Sequence, residues 1–219
     1  MKINTDGVLI GALAAYQNPV SILDIGTGTG VIALMLAQRF LEANVDAIEI
    51  DEKASNTAFC NFLTSPFKDR LKLHSTSFEK YFSNNVDQKF DLIVSNPPFY
   101  INSFKSDSAI KTLAKHADGL FFETLIALSS VHLTGQGNLI LILPPETGEL
   151  VTKMSSSYGL TLKKKTVIKS FYNSIPHREV LTFGYLPEPV ILETFLIYET
   201  QKEYSKGYKH LLKDFLTIF

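Results

Sequence analysis

A strand, a glycine turn and a helix follow one another between Ser21 and Phe40, and no other part of the chain limits the fold as much. Ser21-Ile22-Leu23-Asp24-Ile25 reads as a short strand and Gly26-Thr27-Gly28-Thr29-Gly30 as a turn. Val31 to Phe40 carries apolar residues at helical spacing. Such a unit needs a crossover back to a parallel strand. The rest of the chain repeats the alternation. Strands are expected at Val45–Ile50, Leu71–His74, Phe90–Ser95 and Asn138–Leu143. Between them fall a helix carrying Ala54, Ala58, Phe59 and Phe62, which Ser65-Pro66 helps to end, and a long helix over Asp118–Leu133. Gly135-Gln136-Gly137 reads as the stop of that long helix, and a further helix runs from Pro144-Pro145 to about Ser157.

Thr5-Asp6-Gly7 reads as the cap of an apolar helix that begins at Val8, and Ser103–Lys115 as an exposed loop or short helix. After Gly159 the pattern turns to strands, Leu160–Lys169, Arg178–Tyr185 and Ile191–Tyr198, whose short connections imply reversed directions. An amphipathic helix with Tyr208, Leu211, Leu212, Phe215 and Leu216 closes the chain. The expected fold is α/β: a doubly wound, mostly parallel, seven-stranded Rossmann-like sheet with an antiparallel C-terminal edge. A single domain over residues 1–219 is expected, since no repeat or long linker divides the chain.

Asp24 to Gly30 spells D-x-G-x-G-x-G and departs from the dinucleotide pattern G-x-G-x-x-G, whose last glycine would fall on Val31. Glycines there let a ligand approach the backbone closely. Glu49 ends the next strand, where an acidic side chain meets ribose hydroxyls and repels a 2′-phosphate. Asp24 adds a carboxylate suited to an ammonium group, directly or through water. A ligand with a ribose, an ammonium and no phosphate fits S-adenosylmethionine. Gly26, Gly28, Gly30, Asp24 and Glu49 are therefore expected around that cofactor.

The second motif is Asn96-Pro97-Pro98-Phe99-Tyr100, directly after the apolar strand Leu92-Ile93-Val94. Ligands of parallel sheets bind beyond the carboxyl ends of strands. Prolines fix φ and donate no hydrogen bond, so this corner offers an amide, carbonyls and an aromatic ring to a flat, amino-bearing group. Asn96, Pro97 and Phe99 are the expected catalytic residues, with Asn96 also beside the cofactor. Pro98 and Tyr100 are expected at the substrate.

Together the two motifs resemble those of class I SAM-dependent methyltransferases, and Asn96–Phe99 looks like the [ND]PP[FYW] motif of enzymes that methylate amino nitrogens. The resemblance extends to both ends. Met1-Lys2-Ile3-Asn4-Thr5-Asp6-Gly7-Val8-Leu9-Ile10-Gly11-Ala12, Pro176-His177-Arg178, and the closing Tyr204, Tyr208, Leu211-Leu212 and Asp214-Phe215 are similar to the bacterial tRNA1(Val) adenine-37 N6-methyltransferases. The resemblance implies methyl transfer from S-adenosylmethionine to the N6 of an adenine in a tRNA anticodon loop. It also implies a family segment ahead of Met1 that this sequence lacks. It places Thr5 and Asp6 at the cofactor's edge, with Ser77 and Phe78 where the family usually has an acidic residue facing the adenine. Lys115 and Arg178 become candidates for contact with substrate.

Composition narrows the partners. The net charge is −1, so RNA would be held by a local basic patch and not by a global field. Lys163-Lys164-Lys165 is the densest such patch, read as the protection of a strand edge or as a backbone contact. Cys60 is the only cysteine and the histidines lack ligand spacing, so no metal is expected and a cytoplasmic address is favoured. No apolar run approaches the roughly 18 residues of a membrane helix. Oligomeric state stays open. The alternatives are methylation of a DNA adenine, an rRNA guanine N2 or a protein glutamine, or a non-catalytic SAM- or RNA-binding module.

Overall fold

The computed structural model describes residues 4–98 and 108–217, and for 108–118 the backbone alone. Its first half alternates helix and strand: α1 (Thr5–Leu13), β1 (Ser21–Ile25), α2 (Val31–Arg39), β2 (Asn44–Glu49), α3 (Glu52–Thr64), β3 (Leu71–Ser75), α4 (Phe78–Asn84), β4 (Phe90–Ser95), α5 (Ser108–His132) and β5 (Leu133–Leu143). There follow α6 (Pro145–Ser157), β6 (Thr161–Lys169), β7 (Arg178–Gly184) and β8 (Ile191–Leu196). A small hairpin of β9 (Tyr198–Thr200) and β10 (Glu203–Tyr204) leads to α7 (Lys206–Leu212).

The sheet runs β3-β2-β1-β4-β5-β7-β6-β8. The α/β, mostly parallel architecture is as expected, with eight strands in the sheet where seven were expected. β7 is antiparallel to both β5 and β6, while β8 pairs parallel to β6. The chain does reverse direction from β6 to β7 to β8. Both sides of β7 are already occupied, so β8 passes beyond β6 and adds there, alongside a strand running its own way.

Successive strand residues point to opposite faces, and the core divides accordingly. Ile22, Leu92 and Ile140 join α1, α2, α3 and α7 in one apolar cluster. Leu23, Ile93, Leu139 and Leu141 join α4, α5 and α6 in the other. The sheet is thus covered on both faces, which is why its central strands read as unbroken apolar runs.

Two local expectations are corrected, and one helix was missed. Asn4, not Thr5 or Asp6, caps α1, its side chain accepting from the Gly7 amide at 2.7 Å. The helix α4 was not anticipated from its few turns, although Ser77 caps it and Phe78, Tyr81 and Phe82 are buried. Gly135 and Gly137 do not stop α5. They lie inside β5, where pairing slips between Phe90 and Leu92, and a Cβ on Gly137 would come 2.8 Å from the Phe90 carbonyl oxygen. The glycine serves a close backbone approach at an irregular register.

Candidate functional site

The carboxyl ends of β1, β2 and β4 carry the glycine turn, Glu49 and the Asn96 corner. Their register fixes how these lie together: Ile25 sits beside Ile48 on one side and Ser95 on the other. Ser95 Oγ also donates to the Ile25 carbonyl at 2.8 Å, tying the end of β4 to the start of the turn. A cavity of about 760 Å³ opens over this edge.

The turn is held from below. Gly26 and Thr27 amides both donate to the Ile48 carbonyl at 2.9 Å. Glu49, only 8% exposed, accepts from the Gly28 amide through Oε2 and from the Asp51 amide through Oε1, each at 2.8 Å. Gly26, Gly28 and Glu49 line the cavity. Gly26 has φ +73°, and a Cβ built there would meet nothing within 4 Å, so the backbone is bare towards open space.

Two members of the motif stand elsewhere. Gly30 does not reach the cavity: a Cβ there would lie 2.5 Å from the Phe62 ring, so this glycine lets α3 pack against the start of α2. Asp24 is fully buried beneath the turn and is not among the lining residues. Its Oδ2 accepts from Thr27 Oγ1 at 2.6 Å and from the Ala33 amide at 3.1 Å. Gly30, at the N-cap of α2, has no capping side chain, so Asp24 serves the first turn of α2 from a distance. Burial pushes its carboxyl up to about 7, against the two hydrogen bonds that favour the ionised form. Its Oδ1 has no partner.

Asn96 and Pro97 bring the second motif to the same cavity, together with the exposed Pro98. A Cβ added to Gly7 would come 4.0 Å from Asn96 Nδ2, so the first turn of α1 stands against this corner. Phe99 and Tyr100 lie outside the described residues, as does the side chain of Lys115. Ser77 and Phe78 line the cavity. The Ser77 hydroxyl accepts from the Lys80 amide at 3.3 Å, and Phe78 packs edge-on against Phe121, ring centres 5.7 Å apart.

Asp6 and Arg178 are both lining residues and pair with each other, Arg178 Nε donating to Asp6 Oδ2 at 2.7 Å. Thr5 is exposed and does not line the cavity. The three lysines are neither at the sheet's edge nor an open basic patch. Strand β6 lies between β7 and β8, and Lys163, Lys164 and Lys165 reach Glu188, Glu193 and Glu179 at 3.6, 2.8 and 2.9 Å.

Sequence reasoning missed Ile50 and Phe121. Ile50 is 75% exposed and lines the cavity directly after Glu49. An apolar residue just past a strand's acidic end was the available signal. Phe121 had none, because it sits in an apolar helix whose neighbours Phe122 and Leu125 are ordinary core.

These features fit S-adenosylmethionine. A bare glycine backbone borders open space, Glu49 is a carboxylate at the cavity, and Ile50 and Phe78 provide apolar walls.

Comparison with known proteins agrees. The family model described as methyltransferase small domain matches residues 6–148. The tRNA1(Val) (adenine(37)-N6)-methyltransferase of Pedobacter heparinus is 43% identical over 219 residues, all of this chain and 92% of that one. The protein of the same name from Pseudoalteromonas translucida is 33% identical over 98% of this chain and 91% of its own. Among solved structures, a predicted O-methyltransferase from Agrobacterium tumefaciens superposes with a TM-score of 0.70 at 20% identity, covering 95% and 96% of the two chains. A methyltransferase from Pyrococcus furiosus gives 0.59 at 21% identity, covering 83% of each. At such identities these two show the fold. The domain match and the full-length relatives go further: this chain belongs to the methyltransferase small domain family and, within it, to the family of tRNA1(Val) (adenine(37)-N6)-methyltransferases.

Proposed function

We propose that this chain methylates N6 of adenine 37 of a valine tRNA, as the names of its relatives suggest, and that it does so at the anticodon loop, in the cytoplasm, with S-adenosylmethionine as donor. The observation that carries the chemistry is that Asn96 and Pro97 share one cavity with Gly26, Gly28 and Glu49. When bound, the cofactor supplies an electrophilic methyl group on a sulfonium. Glu49 holds its ribose hydroxyls, and the Gly26–Gly28 backbone leaves room for its chain. Asp24, buried beneath the turn, would act on the cofactor only through the loop it holds.

The Asn96 side-chain oxygen and the Pro97 carbonyl accept the two N–H bonds of the target amine. That favours a tetrahedral nitrogen and stabilises the positive charge that develops on it, a gain made in the transition state. Pro98 has no N–H with which to engage its neighbours' carbonyls. Stacking on the base is assigned to Phe99 and contact with the substrate to Tyr100 and Lys115, roles that rest on their place in the sequence alone. A base in a single-stranded loop is the cheapest to bring out of its stack.

The experiment is transfer of labelled methyl from S-adenosylmethionine to tRNA, rRNA, DNA and protein in parallel. Label is expected in tRNA, at one adenine. Label confined to DNA, rRNA or protein sinks the proposal, and so does failure to bind the cofactor at millimolar concentration. Asn96→Ala is expected to slow transfer by roughly 10²–10³-fold, the scale of losing one preorganised acceptor or donor at a developing charge. Transfer at the wild-type rate removes Asn96 from the mechanism.

A further inference from the structure

The matched methyltransferase domain ends at residue 148, yet the cavity is lined by one residue from well beyond it, Arg178. The topology explains how. The parallel strands deliver their last residues to the functional edge, whereas β7 runs the other way and delivers its first. The register agrees, with Leu143 at the end of β5 beside Glu179. The guanidinium donates through Nε to Asp6 Oδ2 at 2.7 Å and through Nη1 to the His177 carbonyl at 2.7 Å. The pair links residues 172 positions apart, from the first turn of α1 to the first residue of β7.

On its α1 side the pair acts next to Asn96. Asp6 precedes Gly7, whose amide is capped by Asn4 and on which a Cβ would come 3.8 Å from Ile32 and 4.0 Å from Asn96. That turn forms one wall of the cavity, the glycine loop another, and the Asn96 corner a third. The side chains of Asp6 and Arg178 are 15% and 27% exposed, so both charges are largely withdrawn from water. A pair in that position gains little net stability over neutral groups of the same shape, because desolvation offsets the attraction. What an ion pair with fixed hydrogen bonds does supply is one geometry.

Resting on the proposed methyl transfer, we infer that Asp6 and Arg178 are positioning residues: their ion pair holds the first turn of α1 against Asn96 and so sets the distance between methyl donor and acceptor amine. The C-terminal strands then complete a site whose binding motifs all come from the first half of the chain. Misplacement of reacting groups by about 1 Å lowers rates by as much as 10²-fold, so a slack wall is felt in turnover before it is felt in binding.

The test uses the full chain with Asp6→Asn, Arg178→Gln, Arg178→Lys and the double variant Asp6→Asn/Arg178→Gln. At saturating tRNA and cofactor, kcat is expected to fall roughly tenfold or more in each neutral single variant, while calorimetric Kd for S-adenosylmethionine moves far less. The double variant is expected to be no slower than either single one, since the same link is lost once. Arg178→Lys, which keeps the charge without the Nε geometry, falls between. Losses that multiply in the double variant, or an unchanged kcat, overturn the inference.

A second readout needs no turnover. Amide hydrogen exchange over residues 5–8 is expected to quicken in Arg178→Gln with the melting temperature close to wild type. Unchanged exchange there also overturns it. Wild-type protein that labels no tRNA sinks the proposed function instead, and the exchange experiment still decides whether the link holds α1.

Discussion

Asp24 lies fully buried under the glycine turn with its carboxyl pushed up to about 7 by burial. In the unfolded chain the same group ionises near 3.8. Between those values the folded protein keeps a proton that the unfolded chain has released. The stability Asp24 contributes is therefore complete below the lower value and is lost as pH rises through about 7. Thermal melts of the ligand-free protein between pH 5 and 8 should show a midpoint that falls as pH rises. Asp24→Asn, which cannot ionise, should flatten that slope. An equal slope in both proteins would show that the carboxyl is not the group responsible. The Asp24–Gly30 stretch was legible as a glycine turn between a strand and a helix, because its spacing and its neighbours define one. Which of its glycines face the cavity and which face protein was not. Gly30 is reserved for Phe62, and nothing local announces a contact across that much chain.

Two arginines tie neighbouring elements together through main-chain carbonyls. Arg39, at the end of α2, donates through Nη1 to the Gly11 and Ala14 carbonyls at the end of α1, at 2.8 and 2.6 Å. Arg70, in the short turn before β3, reaches the Ala37 and Phe40 carbonyls at the end of α2 and the Ala43 carbonyl just before β2, at 2.6, 3.1 and 2.7 Å. The last carbonyls of a helix have no partner within it, and a charged donor is a strong substitute. Arg70→Met keeps much of the aliphatic stem and strands those acceptors, and should cost about 2–3 kcal/mol, read as a lower urea midpoint. A midpoint equal to wild type would mean that water replaces the guanidinium without loss. Neither arginine was legible as a cap, because its partners belong to an element earlier in the chain. At this scale the long apolar strands and helices read correctly in type but not in extent: α5 begins at Ser108, inside the segment read as a loop or short helix, and β5 at Leu133. The short α4 was not legible: its buried Phe78, Tyr81 and Phe82 stand at i, i+3 and i+4, but seven residues give that spacing no room to repeat.

The alternation of helix and strand was enough to predict a doubly wound parallel sheet, because each period change marks a change of element. The order of its last strands was not readable in the same way. Whether β7 inserts beside β5 depends on which edge is open when it arrives, and that is a property of the assembled sheet. The insertion has a consequence for autonomy. Leu139 to Leu143 of β5 are buried, and β7 covers that side of β5 from Leu139 to Leu143 by register. Beyond Ser157, Leu160, Leu181 and Phe183 complete one core, and Ile168, Val180, Ile197, Tyr208 and Leu212 complete the other. Each large apolar side chain fully buried contributes about 1.5–3 kcal/mol. Losing these eight removes about 12–24 kcal/mol, enough to cancel most or all of the roughly 5–15 kcal/mol net stability of an ordinary domain. A chain ended after Ser157 keeps every residue of the matched methyltransferase domain and both binding motifs. It is nevertheless expected to be insoluble or to melt without a cooperative transition by circular dichroism. A sharp, reversible transition from that shortened chain would show the opposite: that the strands after α6 are an addition to a finished fold. The core places them inside it, since α1, which stands against Asn96, packs in the same apolar cluster as Ile168, Val180 and Leu212.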